Sequence, residues 1–131
     1  ISHAIFSSDE SMKYGSLDHW RSRLSDPSSF ILYLSPTSEP ARPVAFTFVI
    51  LREYDPPIRE HTTGLQIWIA GASPDWRNSG CLTRMVHELD DTPMLTICIF
   101  PSRFEAMWNW LLRRGWEVER DLGGGKVMLS R

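Results

Sequence analysis

Residues 72–89 read ASPDWRNSGCLTRMVHEL and connect an apolar run to a helix. The helix is predicted because apolar residues recur at spacings of three and four; they are Leu82, Met85, Val86 and Leu89. The connection before it contains Pro74, Arg77 and Gly80, which is more specific chemistry than a short turn requires. Unpaired N–H groups at a helix start, with a positive charge nearby, are typical of a site that binds an anion.

This connection lies between two predicted strands. The run LQIWIAGA at 65–72 predicts one strand, and MLTICIF at 94–100 predicts another that is apolar on both faces. With the helix over 80–90 they form a βαβ unit, whose right-handed crossover makes the two strands parallel. The connection is therefore expected at the carboxyl end of the first strand, where a pyrophosphate would meet the start of the helix.

The chain before this unit is predicted to hold a helix and two strands. Apolar residues at helical spacing predict the helix over 16–25. The runs FILYL at 30–34 and VAFTFVIL at 44–51 predict strands joined by a proline-rich hairpin loop. The segment REYDPPIREHTT at 52–63 is polar and contains two adjacent prolines, so it is predicted to be a loop.

The chain after the unit is predicted to hold one helix and a hairpin. Ser102 and Glu105 form a capping-box pattern that starts a helix over 103–114, and Gly115 stands where a left-handed residue would end it. The last two strands, joined by the glycines at 123–125, are predicted over 116–120 and 126–130. The order of elements indicates an α/β (α+β) fold class.

Composition limits the class of protein. The 131 residues are 42% hydrophobic and 23% charged, which predicts a single globular domain over 1–131. Fourteen basic and sixteen acidic residues give a net charge of −2, so neither nucleic acid nor a membrane is an expected partner. No run approaches the ~18 apolar residues of a membrane span. The chain begins with Ile1 rather than Met, so a trimmed N-terminus is expected.

The cysteines and histidines suggest neither disulfides nor a metal. Cys81 and Cys98 lie in apolar segments and are predicted to be reduced thiols, which favours an intracellular, cytoplasmic location. The histidines show no metal-ligand spacing, so no metal is expected; they are His3, His19, His61 and His87. The oligomeric state is left open.

The stretch SPDWRNSGCLTRMV resembles the cofactor-binding motif of the GNAT superfamily of N-acetyltransferases, Gln/Arg-x-x-Gly-x-Gly/Ala. Arg77 and Gly80 match this motif, and Leu82 stands at its last position. The stretch FEAMWNWLLRRGWEVE resembles the family's fourth helix running into its sixth strand. The resemblance covers roughly residues 16–131. It implies the GNAT fold, a mixed central sheet with a splayed parallel strand pair and flanking helices.

The resemblance also implies acetyl-CoA as cosubstrate, in the V between strands 65–72 and 94–100. Backbone groups near the end of the first strand would pair with the pantetheine arm, and they belong to Ala70, Gly71 and Ala72. The following loop would hold the pyrophosphate through Arg77, Asn78, Ser79, Gly80, Cys81 and Leu82. The implied reaction is direct attack of a primary amine on the thioester. The amine belongs to a small molecule or a peptide.

The proton-transfer groups are less evident from the sequence. The position of the family's catalytic tyrosine corresponds to Leu111, and a glutamate base of some relatives corresponds to about Gln66. Neither side chain exchanges a proton at working pH. The nearest titratable groups upstream are Glu60 and His61, of which the imidazole suits a base near neutral pH. Transfer through ordered water is the alternative.

Two other classes of function stay open at this point. One is a catalytically inactive module of GNAT fold that binds acetyl-CoA or CoA in a regulatory or interaction role. The other is an unrelated nucleotide-binding α/β domain, in which the same helix start holds a different phosphate.

Overall fold

The computed structural model describes residues 21–22 and 24–131. Six strands within them form one mixed sheet of order β1-β2-β3-β4-β6-β5. The strands are β1 (Phe30–Leu34), β2 (Ala45–Ile58), β3 (His61–Ala72), β4 (Leu95–Ile99), β5 (Glu117–Gly123) and β6 (Lys126–Ser130). Helices α1 (Cys81–His87) and α2 (Glu105–Arg113) also lie within these residues, and a 3-10 turn, Pro74–Trp76, precedes α1. The α/β (α+β) prediction and the parallel pair within a mixed sheet are confirmed.

The helix predicted over 16–25 lies mostly outside the described residues. Arg21, Ser22 and Leu24 are helical. The described chain divides into two compact units: a first unit of the residues up to Ile50 with Trp68–Asp91, and a second unit of Leu51–Ile67 with Thr92–Arg131. A single domain over 1–131 stays a prediction.

The first unit is built on the β1–β2 hairpin, as predicted. The strands pair antiparallel from Phe30 opposite Val49 to Leu34 opposite Ala45. Its core consists of fully buried side chains, joined by Ile31 and Trp68 at the margin; they are Phe46, Phe48, Ile50 and Ile69. Helix α1 buries Met85, whose Sδ lies 3.4 Å from the Thr47 hydroxyl. The apolar stripe predicted for this helix therefore faces the core.

The second unit contains the parallel pair. Strands β3 and β4 pair from Leu65 opposite Leu95 to Ile67 opposite Ile97, so the predicted parallel βαβ arrangement is confirmed. Strand β6 pairs antiparallel with both β4 and β5, and β5–β6 is the predicted final hairpin. The buried side chains of one cluster are Tyr54, Ile58, Met94 and Met128.

The loop predicted over 52–63 is wrong. Strand β2 continues to Ile58, β3 begins at His61, and only Arg59 and Glu60 lie between them. Both turn residues have positive φ, 47° and 72°, as a two-residue hairpin turn of type I′ requires. The polar composition led to the wrong prediction because the second half of β2 buries only Tyr54 and Ile58 and exposes the residues between them. Such a strand has one polar face over its full length.

The predicted start of α2 also needs correction. The N-cap residue is Phe104, which makes no side-chain capping bond, so Ser102 and Glu105 form no capping box. Ser102 lies two residues before the N-cap, in a turn closed by the Phe104 N–H donating to the Phe100 carbonyl. The predicted end is confirmed, because Gly115 has a φ of 85° and the Trp116 N–H donates to the Leu111 carbonyl at 3.1 Å.

Candidate functional site

The segment Ser73–Gly80 joins β3 to α1 and is called the β3–α1 loop below. It starts with the Ser73 N–H donating to the Val44 carbonyl at 2.7 Å. A single 3-10 turn follows, closed by the Trp76 N–H on the Ser73 carbonyl at 2.9 Å. The residues proposed for the cofactor thus come together in the first unit, from Ala70 at the end of β3 to Leu82 in the first turn of α1.

A continuous row of backbone N–H groups runs from the end of this loop into the first turn of α1. The first intrahelical bond of α1 runs from the Arg84 N–H to the Gly80 carbonyl at 3.0 Å. Among the described residues, the amides from Asn78 to Thr83 donate no hydrogen bond. Asn78 and Gly80 are left-handed, with φ of 63° and 80°, and turns of this kind aim successive N–H groups into an anion-binding concavity.

Gly80 is explained by its backbone conformation rather than by crowding. In the part of the chain that the structure describes, a Cβ built there would meet no atom within 4 Å. The φ of 80°, however, is one that residues with a side chain rarely adopt. The glycine therefore sets the direction of the chain into α1.

Arg77 acts first on the loop itself. Its Nε donates to the Ala72 carbonyl at 3.2 Å, which ties the loop to the last residue of β3. A second contact, from the Cys81 thiol to the Trp76 carbonyl at 3.8 Å, links the loop to the start of α1. The Arg77 side chain therefore positions the backbone of the loop, and its role beside a bound anion stays a prediction.

Ser73 is a residue that the sequence did not indicate. Its hydroxyl is buried and has no hydrogen-bond partner among the described residues. Buried polar atoms are nearly always paired, so this hydroxyl is a candidate hydrogen-bonding group for a ligand at the start of the loop. A serine beside a proline is ordinary turn chemistry, and no sequence signal distinguishes it.

The candidate bases Glu60 and His61 lie in the second unit, at the turn between β2 and β3. Glu60 is exposed and left-handed, and His61 is half-buried as the first residue of β3. The structure therefore keeps these two side by side, while the cofactor residues belong to the first unit. Their role in proton transfer stays a prediction.

A buried polar group in the second unit was missed by the sequence analysis. The Tyr54 hydroxyl lies 2.7 Å from the Thr96 hydroxyl, and the Gln66 amide nitrogen donates to the Cys98 sulfur at 3.4 Å. Burial raises the pKa of Tyr54, and burial likewise raises the pKa of the Cys98 thiol. Both groups are neutral at neutral pH, so they serve as hydrogen-bonding groups and not as charges.

Both cysteines are free thiols, as predicted. In the described ranges, no three histidine, cysteine, aspartate or glutamate side chains are grouped so as to hold a metal ion. No helix in that part of the chain combines the length and the apolar character needed to cross a membrane.

Comparison with known proteins gives matches only among solved structures. No protein-family model and no curated protein matches the chain. It is similar to an acetyltransferase from Thermus thermophilus, with 14% identity over 92% of this chain and 77% of that one and a TM-score of 0.60. It is also similar to Arabidopsis thaliana NAA60 in complex with a bisubstrate analogue, with 11% identity over 96% and 87% and a TM-score of 0.63.

A third similar structure is the NatC complex bound to Gag peptide and CoA. The identity is 14%, the match covers 96% of this chain and 83% of that one, and the TM-score is 0.64. At such identities the similarity shows the fold alone. The chain therefore has the GNAT acetyltransferase fold, as its resemblance to the family motif implied.

Proposed function

We propose that this chain is an acetyl-CoA-dependent N-acetyltransferase acting on a primary amine. The observation that carries the proposal is the row of unpaired amides from Asn78 to Thr83, which follows β3 in a chain of GNAT acetyltransferase fold. Unpaired N–H groups of this kind suit a pyrophosphate. Two of the similar structures contain CoA or acetyl-CoA, which supports the choice of cosubstrate.

Two kinds of contact from the end of β3 and the β3–α1 loop would hold the cofactor. The amides from Asn78 to Leu82 would hold the pyrophosphate, since the Arg77 N–H already donates to the Pro74 carbonyl. The backbone of Ala70 to Ala72 would pair with the pantetheine arm, and the buried Ser73 hydroxyl lies next to it in the chain. Most of these contacts come from the backbone, which is why so short a sequence motif accompanies the site.

The proposed reaction is a direct transfer. The amine nitrogen bonds to the acetyl carbonyl carbon, the carbon–sulfur bond breaks, and CoA leaves as a thiolate. The nitrogen loses a proton to a base and the thiolate gains one. His61, with Glu60 beside it, is the candidate base, and ordered water is the alternative. The acceptor is a small-molecule or peptide amine, and NAA60 with its bisubstrate analogue and NatC with its Gag peptide support that choice.

A second candidate is a catalytically inactive module that binds acetyl-CoA or CoA. The observation in its favour is the absence of titratable groups at two positions that carry catalysis in relatives. Leu111 is fully buried, and Gln66 is a buried amide that hydrogen-bonds Cys98.

One pair of measurements separates these functions. Thermal unfolding is followed with acetyl-CoA, CoA, ATP and NAD, where a ligand at about 100 times its Kd stabilises the folded state by about 2.7 kcal/mol. CoA release is then measured with a broad panel of amines. We expect stabilisation by acetyl-CoA and CoA, and turnover with at least one amine. Stabilisation without any turnover would favour the inactive module, and a preference for ATP or NAD would contradict the cofactor assignment.

A further inference from the structure

Two cations lie over one aromatic ring in the second unit. The guanidinium carbon of Arg103 lies 5.0 Å from the centroid of the Phe100 ring, and the Lys126 Nζ lies 5.9 Å from the same centroid. Cation–π contacts of this length hold both side chains beside the ring. Phe100 follows directly after β4 and Lys126 begins β6, so strands position the ring and one cation, while Arg103 lies in the turn after β4.

Arg52 completes this group. Burial raises the pKa of the Cys98 thiol, and the positive charges of Lys126 and Arg52 oppose that rise. Strand geometry places both cations near this thiol: Arg52 lies two residues before Tyr54 on β2, and Lys126 lies two residues before Met128 on β6. Tyr54 and Met128 belong to the cluster against which Cys98 packs. Arg52, Arg103 and Lys126 are called the basic cluster below.

The charges of the basic cluster are not balanced by acidic side chains. Among the described residues none of its three members forms an ion pair. Elsewhere in the second unit, in contrast, Arg59 bonds both Glu117 and Glu119, at 2.9 and 3.0 Å. Like charges gathered at one place raise the local potential and attract an anionic ligand. The overall charge of −2 gives no hint of such a site.

A buried amide beside Cys98 supplies an independent sign of a ligand. Gln66 is 5% exposed, its Nε2 donates to the Cys98 sulfur at 3.4 Å, and its Oε1 has no partner among the described residues. Turning the amide over would pair the oxygen with the thiol and leave the nitrogen unpaired. In either orientation one buried polar atom next to Cys98 lacks a partner among the described residues, whereas buried polar atoms are nearly always paired.

We propose that the basic cluster binds a carboxylate of the acceptor, so that the preferred acceptor is a peptide with acidic residues close to its free amino group. This inference rests on the proposed function, because it names the substrate of that acetyl transfer. The cations hold the carboxylate, and the Gln66 carbonyl accepts an N–H of the peptide backbone. A phosphate group of CoA offers the same anionic chemistry from a second source.

The test measures binding, with two matched peptides. Both begin with a free amino-terminal serine; one continues with glutamates and the other with the same number of glutamines. Binding to the protein saturated with CoA is measured by calorimetry for the wild type, Arg52→Gln and Lys126→Gln. Arg113→Gln, which removes an exposed charge at the end of α2, is the matched control.

We expect the wild type to bind the glutamate peptide about tenfold more tightly than the glutamine peptide. Arg52→Gln and Lys126→Gln should each reduce that preference about threefold, and Arg113→Gln should keep it. Equal binding of the two peptides by the wild type would overturn the proposal. So would an undiminished preference in both cluster variants.

Two further arms separate this inference from its alternatives. If the cluster variants lose affinity for CoA but keep their affinity for dephospho-CoA, the cluster binds the CoA phosphate and the acceptor proposal is overturned. Turnover of the bound peptides is measured separately. A preference for the glutamate peptide without acetylation would leave the basic cluster as a peptide site and contradict the proposed enzyme activity instead.

Discussion

At the scale of single residues, Gly80 offers the sharpest test of the cofactor site. Its left-handed backbone suits asparagine and aspartate nearly equally, and the two side chains have the same shape. Gly80→Asp places a carboxylate beside the unpaired amides, so we expect it to abolish acetyl-CoA binding. Gly80→Asn, the neutral control, should keep affinity within about tenfold of the wild type. Both are measured by calorimetry.

The comparison of Gly80→Asp with Gly80→Asn requires that both variants fold. Circular dichroism should show that both variants are folded. Unchanged affinity in Gly80→Asp would place the cofactor elsewhere. Arg77→Ala should weaken binding less than Gly80→Asp, because the backbone amides provide most of the contact and Arg77 mainly ties the loop to Ala72.

His61 carries the second residue-scale prediction. If its imidazole takes the proton of the amine, His61→Ala lowers kcat/KM by about tenfold or more and leaves acetyl-CoA affinity unchanged. The acidic limb of the pH–rate profile should disappear with it. Glu60→Gln tests the neighbouring candidate in the same assay. His87→Ala, on the exposed side of α1, is the control. An unaltered acidic limb in His61→Ala would assign the proton transfer to water.

Residues were predictable where the backbone demands a particular amino acid. Gly115 was identified because glycine adopts the left-handed conformation that ends a helix without strain, whereas Gly80 was identified from the motif and proved to be left-handed as well. Ser73, Tyr54 and Thr96 were not, because their importance lies in burial and in long-range partners. The Tyr54–Thr96 hydrogen bond joins residues that are far apart in the chain, and the sequence around either residue does not indicate its partner.

At the scale of elements, Gly64 controls how closely β3 approaches the chain entering β4. A Cβ at this position would lie 2.6 Å from the Met94 carbonyl oxygen, which accepts the neighbouring Leu65 N–H. We expect Gly64→Ala to destabilise the fold by about 2 kcal/mol, measured by urea unfolding, because backbone must shift.

Gly115→Ala is the comparison for this prediction. It meets no atom within 4 Å but must adopt a φ of 85°, so only conformational strain of about 1 kcal/mol is expected. If Gly64→Ala lowered the unfolding free energy no more than Gly115→Ala does, crowding by Met94 would not explain why position 64 requires glycine.

Elements with an unambiguous period were predictable and polar strands were not. The stripe of α1 and the doubly apolar β4 were both correct, because core packing leaves a clear pattern. The second half of β2 was mistaken for a loop, since it buries only Tyr54 and Ile58. Prolines tolerated within that strand added to the error.

At the scale of the whole molecule, the fold followed from the order of elements and one motif. The basic cluster did not, because its members are separated along the chain and meet only through strand pairing and the turn after β4. The division of the described chain into two units was likewise not predictable, since each unit combines distant segments. Local patterns specify elements, whereas these features depend on contacts between them.

The last prediction concerns the stability of the whole molecule at alkaline pH. Burial raises the pKa of Tyr54, opposed by the hydrogen bond with Thr96 and the charge of Arg52, and burial raises the pKa of Cys98. In the unfolded chain these acids ionise first, near pH 10 and about 8.5, so the folded state then binds more protons. Their contribution to the unfolding free energy is thus complete below pH ~8.5 and lost as the pH rises.

Urea unfolding from pH 7 to 11 tests this. Cys98→Ser, which keeps an acceptor for Gln66, should flatten the decline that begins near pH ~8.5, and Tyr54→Phe should flatten the decline above pH ~10. Tyr54→Phe should also cost about 1 kcal/mol at pH 7, because it leaves the buried Thr96 hydroxyl unpaired. Tyr33→Phe, which removes an exposed hydroxyl, is the matched control. An alkaline decline as steep in Tyr54→Phe and Cys98→Ser as in the wild type would mean that other groups cause it.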